Sequence, residues 1–152
     1  MNKNLENRLI PYALGVLQIF IGITAALGGF GLVLDPSGAK MDVPLALLKN
    51  SPFTNYLIPG LVLLIVNGGG NVLAVIATFM RYRYAGNLAI FFGIFLTIYI
   101  TIEVWVIGLQ NFLQPLYFIL GVVELVFGFR MSKSVKAEYQ NVIESKSANL
   151  PA

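Results

Sequence analysis

Four long apolar stretches, at residues 9–34, 56–80, 84–107 and 112–129, are separated by segments whose positive charges fall almost entirely on one side. The hydrocarbon core of a bilayer is ~30 Å thick, and about 20 apolar residues per helix cross it. No water reaches the backbone there, so each span must satisfy its own N–H and C=O groups, as a helix does. The chain therefore reads as an all-α bundle of four transmembrane helices. A soluble domain carries about 25% charged residues. This chain carries 11%, with 57% hydrophobic residues and a mean hydropathy of +0.79, which removes the soluble reading. The expected organisation is a four-helix transmembrane domain over 1–130 and a polar cytoplasmic tail over 131–152. The first apolar run is too long for a signal peptide and lacks a small-residue cleavage site, so it reads as a retained helix.

Charge orients the bundle. An even number of crossings puts both termini and the loop between helices two and three on one side. Lys3, Arg8, Arg81, Arg83, Arg130, Lys133, Lys136 and Lys146 lie there, against Lys40 and Lys49 opposite. The positive-inside rule makes that side cytoplasmic, in a plasma or bacterial inner membrane. The net charge of +3 is then explained by orientation and anionic lipid head groups, not by nucleic acid.

The outer loop, 35–55, is the longest connection. Asp35-Pro36-Ser37-Gly38 reads as a turn. Asp42 and Pro44 read as the start of a short interfacial helix over the bundle mouth. Ser51-Pro52 reads as the start of helix two, with a kink expected at Pro59. In the tail, Val135, Tyr139, Val142 and Ile143 recur at helical spacing. Either a short surface amphipathic helix or a solvated tail fits that pattern.

Small residues mark where membrane helices touch. Gly15, Gly22 and Gly29 recur every seven residues, with Gln18 and Ala25 in register. Gly121, Glu124 and Gly128 share a stripe on helix four, and Asn67, Asn71 and Ala74 on helix two. The run Gly68-Gly69-Gly70 lets a partner approach the backbone at bilayer depth.

Polar residues at that depth are costly, about 2.5–3.5 kcal/mol for a charged one on insertion scales. Gln18, Asn67, Asn71 and Glu124 are expected to form one buried cluster. It is either a hydrogen-bonded clamp or a proton or ligand site. Glu103 sits near the outer end of helix three, where Tyr99 is placed to bond it. With Gln110, Asn111, Gln114 and Tyr117 it outlines an outward-facing mouth, unless these are simply interfacial residues.

Histidine and cysteine are absent, so no thiol chemistry, Cys/His metal site or ordinary haem ligation is expected. No cofactor or metal site is expected, and no catalytic residue is assigned. Three functions fit, in this order. The first is a non-enzymatic protein that binds or passes a small apolar or amphipathic ligand through the bundle. The second is a non-catalytic subunit or assembly partner of a larger complex, homo- or hetero-oligomeric. The third is a lipid- or quinone-linked membrane enzyme using Glu103 or Glu124.

The segments Asp35-Pro36-Ser37-Gly38, Asn50-Ser51-Pro52-Phe53, Leu57-Ile58-Pro59-Gly60-Leu61, Asn67-Gly68, Arg83-Tyr84-Ala85-Gly86 and Gln114-Pro115-Leu116-Tyr117-Phe118 carry a resemblance. Together they are similar to an uncharacterised group of small bacterial four-helix membrane proteins. The topology resembles the DoxX-like families, in which a long first outer loop precedes a kinked second helix. Some members there are named as quinol-oxidase-associated subunits. The resemblance implies the fold and no functional residue.

Overall fold

The structure, a computed structural model, describes residues 3–148. Among the described residues, four helices are long and apolar enough to cross a membrane, and no strand occurs. The chain is a multi-pass membrane protein. We label the helices α1 (Lys3–Leu34), α2 (Leu57–Phe79), α3 (Ala85–Ile107) and α4 (Leu113–Ala148).

The backbones of α1 and α2, α2 and α3, α3 and α4, and α4 and α1 approach one another in a ring. Two of these pairs are closed by glycine. A Cβ on Gly29 would stand 2.5 Å from the Leu64 nitrogen and 2.7 Å from the Gly60 oxygen on α2. One on Gly68 would stand 3.1 Å from the Ala26 backbone on α1. The heptad glycines of α1 thus face α2. The second pair was not anticipated. Gly93 of α3 packs against the backbones of Gly121 and Leu125, and Gly128 of α4 against Gly86 and Ile90. Gly121 and Gly128 therefore serve α3, while Glu124 points past them toward α1.

α2 is irregular. Its first turn is Leu57–Val62, followed by a π-helical stretch, Leu63–Gly69, and a regular helix, Gly70–Phe79. Residues 51–56 are non-helical, so Ser51-Pro52 does not start the helix. Pro59 lies in the first turn, where a missing N–H is tolerated, so it does not cause the expected kink. The distortion comes later, where three consecutive glycines weaken the helix. Gly68 admits α1 and Gly70 admits the Phe92 ring of α3, while Gly69 meets nothing closer than 3.9 Å.

α2, α3 and α4 are joined by short turns. The α2–α3 turn is a Schellman closure, with Tyr82 N–H on Ala77 O and Arg81 N–H on Thr78 O. Arg81 takes the left-handed position usually held by glycine (φ 49°). The α3–α4 turn breaks at Gly108 (φ 77°), and Asn111 caps the Leu113 N–H.

In the long loop, Asp35 accepts hydrogen bonds from Ser37 N–H, Ser37 Oγ and Lys40 N–H. These bonds hold its carboxyl below the usual carboxylate range, the Ser37 hydroxyl contributing most. Leu45–Asn50 forms a 3-10 helix, not an α-helix, and Asp42 does not cap it. Asp42 instead ends the preceding 3-10 turn, Ala39–Met41, in left-handed geometry.

α4 runs through Arg130 without a break. Met131 and Val135 are buried with Ile10, Leu14, Ala77, Ala85 and Ala89. The start of the tail is thus part of the core, and it continues α4 instead of forming a separate surface helix.

Candidate functional site

Two polar groupings stand out, one mid-bundle and one at the long-loop end. The first gathers the buried polar side chains of α1, α2 and α4. Gln18, Asn67, Asn71, Thr78 and Glu124 all have no exposed surface. Gln18 Nε2 donates to Glu124 Oε1 (3.3 Å), and Thr78 Oγ1 donates to Gln18 Oε1 (2.9 Å). One amide thereby ties three helices together. Asn71 does not join this tie, contrary to expectation. Its Nδ2 turns back onto the Asn67 carbonyl (2.9 Å) at the end of the π stretch. Both polar atoms of the Asn67 side chain, Asn71 Oδ1 and Glu124 Oε2 have no hydrogen-bond partner among the described residues. An unmade bond to a buried polar group costs about 1–3 kcal/mol, so these atoms mark a reserve of hydrogen-bonding capacity.

Thr78 was missed in the sequence. The signal was present: it lies seven residues after Asn71, on the same helical face.

The second grouping surrounds a cavity of about 450 Å³. It lies between the α1–α2 pair and the α3–α4 pair, beneath Met41, Val43 and Leu48 of the long loop. The volume falls within the roughly 300–1,000 Å³ of small-molecule sites. Its cause is visible in the helix pairing. α3 meets the later turns of α2, but no backbone approach joins it to Leu57–Val62. The gap is spanned by Tyr99, whose hydroxyl donates to the Pro59 carbonyl (3.2 Å). Tyr99 therefore bonds α2 and not Glu103.

Glu103, Tyr99, Gln114, Tyr117 and Asn111 all line this cavity. Gln114 is 2% exposed and fully engaged. Its Nε2 donates to Glu103 Oε1 (3.0 Å) and the Gly108 carbonyl (3.2 Å), and its Oε1 accepts from Gln110 N–H (2.7 Å). Gln110 adds a side-chain bond to the Ile107 carbonyl. The carboxylate is thus fixed to the α3–α4 turn by a residue that bonds through both ends of its amide. Tyr56, at the edge of the loop, donates its hydroxyl to the Pro44 carbonyl. Burial, and then the Glu103 charge, push its phenol above the ordinary range, so it stays a neutral donor.

The two groupings are separate. Gln18, Asn67, Asn71, Thr78 and Glu124 do not line the cavity. Ile21, Leu96 and Ile100 form one apolar cluster, in which Leu96 and Ile100 belong to the cavity wall and Ile21 lies on α1 between Gln18 and the wall residue Ala25. The deep residues therefore do not set the polarity of the cavity; Glu103 and its neighbours do. No group of three or more acidic side chains that could hold a metal occurs among the described residues.

Fold and site together define a four-helix membrane bundle with one apolar cavity at its long-loop end. No family model matches the chain, and neither does any curated protein or solved structure.

Proposed function

We propose that this protein binds a small apolar or amphipathic molecule in the cavity at its long-loop end. The observation that carries the reading is the cavity itself, walled by aliphatic and aromatic side chains around one positioned carboxylate. The ligand reaches it from the bilayer. Ile58 on α2 and Ile98 and Ile102 on α3 line the cavity and are also 53–54% exposed on the bundle surface. Residues that face both ways mark a lateral mouth, here where α2 and α3 stand apart. The charge asymmetry directs the cavity end outward, in a plasma or bacterial inner membrane.

A lipid- or quinone-linked enzyme is the second reading, favoured by the same mouth. It is weaker because Glu103 is the sole carboxylate on the cavity wall and no lysine or arginine joins it. An acid–base pair is therefore wanting, and Gln114 cannot carry a proton.

Gly28 supplies the test. It lines the cavity, and a Cβ there would meet only Leu63 Cδ2, at 3.5 Å. Gly28→Leu should fill the cavity without disturbing a helix contact. In lipid nanodiscs, a single-chain alcohol bearing a photoactivatable diazirine should label Phe95, Tyr99 or Tyr117 in the parent protein. That labelling should be lost in Gly28→Leu. Equal labelling of both proteins, or labels confined to lipid-facing positions, would overturn the reading.

A further inference from the structure

The polar groups on the cavity wall differ in what they still offer. Gln114 has committed both its N–H groups and accepts one bond at its oxygen. Tyr99 and Tyr56 have given their protons to Pro59 and Pro44. The Asn111 Oδ1 is occupied as a cap, its N–H groups sit on an exposed side chain, and Thr24 bonds its own helix. What remains is the second oxygen of Glu103, the Tyr117 hydroxyl and acceptor lone pairs of the other tyrosines, and of these Glu103 alone is a carboxylate. The carboxylate is the contact that takes a donor. No basic side chain on the wall pairs with that carboxyl. Lys40 and Lys49, the basic residues of the long loop, are exposed and do not line it.

An anionic head group would meet like charge in a poorly hydrated site, while a cationic one would form a charge-assisted hydrogen bond. Tyr99, one helical turn before Glu103, and Tyr117 line the same cavity, and aromatic rings attract a cation. The apolar remainder of the wall and its lateral mouth suit a hydrocarbon chain.

We propose that the cavity selects single-chain amphiphiles with a protonated amine head group, which docks on the free oxygen of Glu103 while the chain lies along the apolar wall toward the α2–α3 mouth. Gln114 acts as the positioning residue, holding the carboxylate at the end of the cavity near the α3–α4 turn. The proposal rests on the reading that the cavity binds a ligand, and its test separates the two.

Three diazirine probes with the same alkyl chain and a primary amine, an alcohol or a carboxylate as head group are presented to the protein. The nanodiscs are made of phosphatidylcholine, and the probes are at equal membrane mole fraction. The readout is labelling of cavity residues. The amine should exceed the alcohol by about tenfold, as one charge-assisted contact allows, and the carboxylate should be weakest. Glu103→Gln can still accept the Gln114 bond and keep the fold. It should bring the amine down to the level of the alcohol measured in the same variant. Carboxylate labelling equal to the amine, or an amine preference that survives Glu103→Gln, would overturn the head-group assignment and leave the cavity reading standing. Failure of all three probes to label the cavity would overturn both.

Discussion

Gln18 of α1 sits between Glu124 of α4 and Thr78 of α2, giving its amide hydrogen to one and its carbonyl to the other. Side-chain hydrogen bonds between membrane helices contribute only ~0.6 kcal/mol on average, with a maximum near ~1.7. Leaving buried partners unpaired costs more, about 1–3 kcal/mol. Gln18→Met keeps the volume and strands both partners. It should destabilise the bundle by about that larger amount, read as a loss of thermal stability in detergent. Glu124→Gln should cost less, because an amide oxygen still accepts from Gln18.

Asn67 should behave in the opposite way. Its side chain has no partner to lose among the described residues. Asn67→Ala should therefore be nearly neutral for stability in the same assay. A loss as large as that of Gln18→Met would show that Asn67 is bonded in the folded protein, through water or a ligand.

The glycine seams predict a graded series. At Gly29 a methyl group would strike the α2 backbone at 2.5–2.8 Å, and at Gly93 the α4 backbone at 2.7–2.8 Å. Backbone cannot yield as a side chain can, so Gly29→Ala and Gly93→Ala should each cost about 1–3 kcal/mol, the usual range for overpacking. Gly22→Ala should cost less, its nearest contact being the Asn71 Cβ at 3.3 Å. Gly69→Ala meets open space and should stabilise by up to ~1 kcal/mol through helix propensity. Equal effects at Gly29 and Gly69 would refute the seam.

The four spans and the α1 seam were legible because length, hydropathy and a seven-residue glycine spacing are local patterns. Gly86 and Gly93 show the same spacing and were overlooked on a helix read for Glu103 and Tyr99. Gln18 and Glu124 were paired by the cost of burying them. That cost does not say which partner each finds, so Thr78 took the place expected for Asn71. The cavity was not legible in its particulars. It depends on how far the first turn of α2 stands from α3, a distance set by packing and by the Tyr99–Pro59 bond. Likewise, Pro59 and Asp42 carried the right residue types for a kink and a cap. Their places relative to the true helix starts made them neither.

The Asp35 network predicts acid sensitivity in the long loop. Its carboxyl is held below the ordinary value of 3.8 in the folded chain. A depressed carboxylate contributes order that is fully present above the unfolded value and is lost as pH falls through the folded one. Amide exchange at Ser37 and Lys40 should therefore stay slow down to about pH 4 and rise only below it. Asp35→Asn should make exchange at Lys40 faster at neutral pH as well. Protection that is independent of pH down to acid unfolding would exclude this role for Asp35.

Orientation follows from charge and can be read chemically in a chain without cysteine. The long loop and the end of α4 lie at opposite ends of the bundle, so one cysteine in each reports both faces. Gly38 is unsuited to the loop position, since its φ of 74° and the Val43 carbonyl beside it leave no place for a side chain. Lys49 and Lys136 are exposed and suit the purpose. Eight basic residues lie on the side of the termini and two on the side of the long loop, and neither substitution reverses that balance. In intact cells an impermeant thiol reagent should label Lys49→Cys and spare Lys136→Cys until the membrane is opened. Labelling of Lys136→Cys alone in intact cells would invert the bundle, and the cavity with its Glu103 carboxylate would then face the cytoplasm.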